Sequence, residues 1–224
     1  MFIIRRLNQF FIFFLIVLLS NFCFAQSSEL KGWSSVEYGF DINEILKINL
    51  SQHFRLKEDL NVIDTYITES EISLEPINKL TLLGQLRYYS RNDNFGGIQG
   101  FENMMRYRFG IEKKLSSNKL NFELRIAYQN RFSLDRENRF KKRIRIRPLL
   151  ELKMIDWTNN PKIYFEYFDE IKGNEQKVYR YGISQKINTN KSKSITLRYL
   201  YQKYIERYSS NSSANIISVK YSFN

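Results

Sequence analysis

The chain is short of the residues that staple, hinge and catalyse: among its 224 residues are one cysteine, three prolines, nine glycines and one histidine. The single cysteine, Cys23, lies in an N-terminal leader. A chain that has lost this leader can form no disulfide, offer no thiolate nucleophile and build no cysteine-ligated metal site. His53 has no second histidine to share a metal with, and no carboxylate cluster has a recognisable ligand spacing. Few prolines and glycines, and no low-complexity segment after the leader, leave no linker, so about 200 residues fit one domain. Long apolar runs are also scarce. The one present, FFIFFLIVLLS, follows Arg5 and Arg6 and leads into Asn21, Phe22, Cys23, Phe24 and Ala25.

That order of basic residues, apolar core and small-residue exit reads as a secretory signal peptide over residues 1–25, cleaved between Ala25 and Gln26. The run is shorter than the roughly 20 residues a spanning helix needs. Phe22 is too bulky for the position before a lipidated cysteine. Cleavage removes two arginines and no acids, which takes the formal charge from +12 to +10. For an exported chain this basic excess points to lipopolysaccharide, phospholipid head groups or anionic solutes, and not to nucleic acid.

What the chain has in abundance is alternation. Met105, Tyr107, Phe109 and Ile111 share one parity and Arg106 and Arg108 the other. Phe122, Leu124, Ile126 and Tyr128 alternate with Glu123 and Arg125, and Ile144, Ile146, Pro148 and Leu150 with Arg143, Arg145 and Arg147. Strand geometry sends the two sets to opposite faces. A sheet with one apolar and one charged face, and no helices to cover the apolar one, suits a barrel closed in a lipid bilayer around a charged lumen. The spans read as strands are 33–40, 45–56, 62–74, 79–90, 101–113, 120–131, 140–153, 162–169, 177–187, 194–205 and 214–223. The expected fold of residues 26–224 is therefore an all-β, antiparallel up-and-down transmembrane barrel of about 10 to 12 strands in the outer membrane of a Gram-negative bacterium.

Short connections (SSNK, NTNKS, EPINK) alternate with longer ones (RNDNFGGIQGFEN, SLDRENRFKK, DEIKGNEQ, ERYSSNSSAN), as periplasmic turns alternate with external loops. Eleven spans conflict with the even strand number of bacterial single-chain barrels, so ten or twelve strands are expected. Either Trp33–Phe40 is not a full strand, or one is hidden between Leu56 and Leu74, where alternation is weakest. The C-terminal segment, with Ile217, Val219, Tyr221 and Phe223 on one parity, resembles the signal by which barrel assembly machinery recognises its clients.

A soluble periplasmic β-barrel that binds lipid would also alternate. Strand length argues against it, as do tyrosines near the ends of the apolar parity and a charged parity favouring arginine and glutamate over lysine and threonine. The mature chain resembles the DUF2490 family of outer-membrane barrels, which has no assigned function. The resemblance rests on Trp33, HFR (His53–Arg55), LRYYSR (Leu86–Arg91), MRYRFGIEKK, FELRIAYQNR, RIRIRP (Arg143–Pro148), PKIYFEYFDE (Pro161–Glu170) and YRYGIS (Tyr179–Ser184). It implies fold and location, in Bacteroidetes-type bacteria, and nothing about substrate.

The candidate functional residues share the inward parity: Arg87, Arg106, Arg108, Glu123, Arg125, Arg143, Arg145, Arg147, Glu151, Glu166, Arg180 and Arg198, with Glu102 and Glu112 beside them. One reading is a cross-strand ladder of arginine–carboxylate pairs filling a narrow structural or interaction barrel. The other is a narrow pore in which surplus arginines favour anions. Arg145 is expected to find Glu123 on the preceding strand or Glu166 on the following one. A lipid-modifying barrel enzyme would need a serine and a histidine base. His53, with Ser51 two residues away, is the sole candidate, and no His-x-Ser signature is present. No motif calls for a cofactor.

Overall fold

The period of two becomes eleven strands: β1 (Ser28–Asp41), β2 (Leu46–Lys57), β3 (Val62–Ile77), β4 (Leu80–Asp93), β5 (Gly100–Ser116), β6 (Leu120–Ser133), β7 (Phe140–Leu152), β8 (Pro161–Lys172), β9 (Lys177–Asn188), β10 (Lys193–Ile205) and β11 (Ser213–Phe223). The computed structural model describes residues 28–94, 99–137, 139–154, 159–172, 176–190, 192–205 and 212–223; the leader and its cleavage site at Ala25 and Gln26 lie outside them. No helix among the described residues is long and apolar enough to cross a membrane, which has no bearing on strands.

Each strand pairs with its chain neighbours, and β1 meets β11 to close the barrel. The ten hairpin pairings are antiparallel, whereas β1 and β11 run parallel, in register from Ser28 opposite Ser213 to Tyr38 opposite Phe223. This corrects the expectation of an even count. An odd meander has its first and last strands pointing the same way, so it can close only through a parallel ladder, which satisfies the backbone as an antiparallel one does. Trp33–Phe40 belongs to a full strand. Both termini of the described chain consequently lie at opposite ends of the barrel.

The weak alternation between Leu56 and Leu74 also has a local cause. Arg55 stands opposite Thr65 and Leu56 opposite Ile63, which leaves Asp64 without a partner. This extra residue flips the parity within one strand. Pro148 interrupts the β7–β8 ladder, where pairing skips from Ile146–Tyr167 to Leu149–Tyr164, as a residue without an N–H requires.

Side chains divide as the alternation implies. Phe109, Ile111 and Ile126 point outward and are 62%, 53% and 50% exposed, while arginines and glutamates of the same strands line the interior. Outward aromatics gather near the rims, with Phe54, Tyr66 and Phe101 in contact at one end and Tyr38 stacked on Phe223 across the seam at the other, 4.6 Å between centroids. Tyr107 and Tyr128 depart from this, pairing at mid-strand at 6.4 Å.

The interior is not wholly polar. Tyr164, Leu200, Ala214 and Ile216 cluster on the inner wall with Trp33 and Leu149 against them, and Ile67, Tyr89 and Met104 form a second patch. Gly182 makes the first possible, because a Cβ there would run into the Tyr164 ring and meet Leu200 at 2.7 Å. Beside the seam, Glu37 accepts hydrogen bonds from Lys220 at 2.8 Å, Ser222 at 3.3 Å and Ser51 at 3.4 Å, tying β1 to β11 and β2.

An exterior of this kind should be sensitive to charge only on its outward face. Ile126→Arg is expected to destabilise the protein folded in phospholipid vesicles by about 2–4 kcal/mol, and the lumenal change Arg198→Gln by much less. Denaturant titration of both variants checks this, and equal losses would mean that the faces are assigned wrongly.

Candidate functional site

A cavity of about 1080 Å³ occupies the lumen. Its lining reaches from Lys47, Lys114, Lys162, Lys186 and Lys220 near the C-terminal end to Arg91, Arg131, Lys141 and Gln176 near the other, so it follows the barrel axis. Drawn out along the barrel axis, that volume leaves room for a file of small solutes and not for bulk electrolyte.

The ring of β5 to β9 shows how a narrow interior tolerates many arginines. Arg125 and Arg147 stand directly opposite each other on β6 and β7, an arrangement that is unfavourable for like charges. Two carboxylates resolve it. Glu112 accepts from Arg125 Nε at 2.7 Å and lies 3.6 Å from Arg147, while Glu123 pairs with Arg147 and lies 4.0 Å from Arg125. Glu166, 3% exposed, likewise bridges Arg145 and Arg180, the latter at 2.8 Å. Glu71 holds Arg108 at 2.6 Å, and Glu170 lies 3.1 Å from Lys141 and 3.5 Å from Arg143. Each carboxylate placed between cations offsets part of the desolvation that burial imposes on all of them.

Six residues away along the same two strands, β5 and β6, the same problem is left unresolved. Arg87 stands opposite Arg106, and Arg106 opposite Arg131, on β4, β5 and β6; Lys141 follows opposite Arg131 on β7. Only the flanks of this row meet acids, Arg87 through Glu69 and Lys141 through Glu170. Arg106 donates to the neutral Gln85 at 2.6 Å, and its buried Nε has no partner. Among the described residues, Arg106 and Arg131 have no carboxylate within ion-pair distance, and neither do Arg55, Arg91 and Arg198. Arg55 instead lies 4.1 Å over the Trp33 ring, and Arg198 5.6 Å from Tyr164.

Most of the residues singled out from the sequence line this cavity: Arg87, Arg106, Arg108, Glu123, Arg125, Arg143, Arg145, Arg147, Glu166, Arg180 and Arg198. Glu151 sits outside the lining, at 3.2 Å from Asn121 and 3.7 Å from Lys162 near the rim. Glu102 is taken up by Arg139 of the β6–β7 connection at 2.7 Å. Of the two partners expected for Arg145, Glu166 forms the pair, whereas Glu123 serves Arg147. In register Glu123 faces Leu149, which brings Arg147, two residues away on the same face, within reach and leaves Arg145 a further step off.

Sequence reasoning did not pick out Glu37, Arg55, Glu69, Glu71, Tyr89 or Arg131 for the site. Glu69 and Glu71 lie in the bulged strand whose parity was obscured, and Tyr89 is an aromatic on the charged parity. Arg131, at the end of FELRIAYQNR, shares its parity with Arg125 and was legible in principle. His53 faces the lumen with Nε2 3.7 Å from Glu69, whereas Ser51 donates to Glu37 at 3.4 Å. The two therefore address different carboxylates. Among the described residues, no three His, Cys, Asp or Glu side chains are grouped as a metal ion requires.

The carboxylate-bridged clusters should behave as units. Glu166→Gln is expected to cost about 3–5 kcal/mol, because it strands two buried guanidinium groups. In a double-mutant cycle Arg145→Ala and Glu166→Gln should couple by about 0.5–3 kcal/mol, whereas Arg145→Ala and Glu123→Gln should be additive to within about 0.5 kcal/mol. Equilibrium unfolding of the four-protein cycles reads both, and coupling to Glu123 alone would contradict the pairing described.

No curated protein is significantly similar to this chain. Among solved structures, the barrel is similar to an anion-selective porin from Comamonas acidovorans, with a TM-score of 0.39 and 9% identity over 81% of this chain and 54% of the porin. The chain thus spans about half the length of that protein. A family model described as "Protein of unknown function (DUF2490)" matches residues 30–212, the whole barrel apart from the start of β1 and the last strand. The chain belongs to the DUF2490 family.

Proposed function

We propose that the protein is a non-enzymatic outer-membrane barrel of a Gram-negative bacterium, exported by its leader, inserted by barrel assembly machinery and bathed in lipid and lipopolysaccharide, whose lumen is a narrow path favouring small anions. The observation that carries this reading is a polar cavity along the barrel axis, whose C-terminal mouth mixes five lysines with Glu37, Asp41, Glu44 and Glu75 and whose interior holds guanidinium groups that, among the described residues, have no carboxylate within ion-pair distance. Rings of basic side chains at a constriction attract anions and repel cations. A barrel needing only rigidity would have no use for uncompensated charge at that depth.

A structural or interaction barrel is the second reading, and the bridged quartet of Glu112, Arg125, Glu123 and Arg147 favours it for that part of the wall, where every charge is neutralised within the network. The apolar exterior, with outward aromatics near both rims, supports placement in a bilayer over a soluble lipid-binding barrel. Neither Ser51 nor His53 supplies the nucleophile–base contact that lipid hydrolysis requires.

Protein purified from outer membranes and reconstituted in planar bilayers should show small conductance with chloride preferred over potassium, measured at two salt concentrations. Arg198→Glu, which reverses an unpaired lumenal charge, should move the reversal potential towards cation preference without changing the heat-modifiable gel mobility typical of barrels. A protein that inserts but conducts no ions would leave the structural reading in possession.

A further inference from the structure

The row of cations on β4, β5 and β6 goes beyond general basicity, and we propose that it forms a discrete binding site for a phosphate-class oxyanion. The inference rests on the reading of the lumen as an anion path and names the solute that the path would hold. Arg87, Arg106 and Arg131 occupy directly opposed positions on consecutive strands, where neighbouring backbones are only about 5 Å apart. Elsewhere in the same wall such an opposition is relieved by glutamates set between the arginines. Here the position that a relieving carboxylate would occupy is filled by Tyr89, which is 6% exposed and sits among Met104 and Ile67.

The Arg106 guanidinium lies 5.7 Å from the centroid of the Tyr89 ring. The buried Nε atoms of Arg55 and Arg106 have no hydrogen-bond acceptor, which they share with Arg108, Arg143, Arg145, Arg147 and Arg198; what sets Arg106 apart from the bridged arginines is that, among the described residues, it has no carboxylate within ion-pair distance either. Orphaned charged donors at this depth are costly unless something accepts from them.

The chemistry of these donors selects the ligand. Guanidinium forks match the planar or tetrahedral oxygens of oxyanions in paired hydrogen bonds, which a spherical halide cannot reciprocate. Several guanidinium groups lacking a carboxylate call for more than one negative charge. Phosphate and its monoesters carry about −1.5 to −2 near neutral pH on three strong acceptor oxygens, and a carboxylate carries one. Tyr89 adds a hydroxyl beside these groups, its ring centroid 5.7 Å from the Arg106 guanidinium, and Gln85 accepts from Arg106 at 2.6 Å and so holds that guanidinium in place.

The test uses the mature protein purified in detergent, with inorganic phosphate, glycerol phosphate and acetate as probes against chloride at matched ionic strength. Thermal unfolding should shift upward and saturate with phosphate or its monoester, as a ligand bound only by the folded state requires. Whichever of the two acts at lower concentration identifies the free ion or the ester as the preferred source. Arg131→Gln and Tyr89→Phe should weaken this response about 10-fold or more, while Lys119→Gln, at an exposed cation of the β5–β6 turn outside the cavity lining, should leave it intact.

The absence of a saturable shift in the unaltered protein would overturn the proposal, as would an undiminished response in Arg131→Gln and Tyr89→Phe, or equal protection by acetate. Because binding is read in micelles, phosphate stabilisation without conductance would retain the site and remove the path, and conductance without stabilisation would do the reverse.

Discussion

Closure of the sheet is the constraint on which everything else rests. An open edge would leave a row of unpaired backbone N–H and C=O groups, which neither a hydrocarbon environment nor a stable monomer tolerates. The chain supplies eleven strands, so the last edge pairs parallel to the first. Once that ladder forms, every strand is fixed in tilt and register, and each residue is committed to the lumen or to the exterior. The hydrogen bonds gathered by Glu37 from β2 and β11 and the Tyr38–Phe223 stack act at this one junction, on the inner and outer faces respectively.

The charged interior follows from closure and from size. With eleven strands the lumen is too narrow for bulk water to solvate a full complement of arginines, so charge must be compensated by charge. Over β5 to β9 this is accomplished by glutamates that each serve two arginines. Over β4 to β6 it is not, and the contrast lies within a single wall, between rows a few residues apart. Stability alone would favour placing acids in both. The uncompensated row therefore marks where the barrel departs from a purely structural solution.

Much of this was legible in the residues. Alternation located all eleven strands, and it placed Arg106, Arg108, Arg125, Arg143, Arg145 and Arg147 on the lumenal face. Strand direction at the seam was not legible, because side-chain parity is the same whether a neighbour runs parallel or antiparallel. The bulge at Asp64 hid Glu69 and Glu71, since one extra residue reverses the pattern on which their assignment depends. Individual partners were narrowed to two candidates for Arg145, of which Glu166 is the one that pairs. Arg145 pairs with Glu166 and not with Glu123 because of a diagonal offset between registers, which sequence spacing within one strand does not contain.

The parallel seam is the feature that an even-stranded alternative would lack, and the absence of cysteine after Cys23 makes it directly accessible to cross-linking. Ser28 and Ser213 stand opposite each other at one end of the seam, while Phe223 lies at the other. In the folded protein, the pair Ser28→Cys and Ser213→Cys should form a disulfide under mild oxidation, and the pair Ser28→Cys and Phe223→Cys should not. Cross-linking of the second pair, with none in the first, would show that β1 meets β11 antiparallel and would contradict the eleven-stranded barrel.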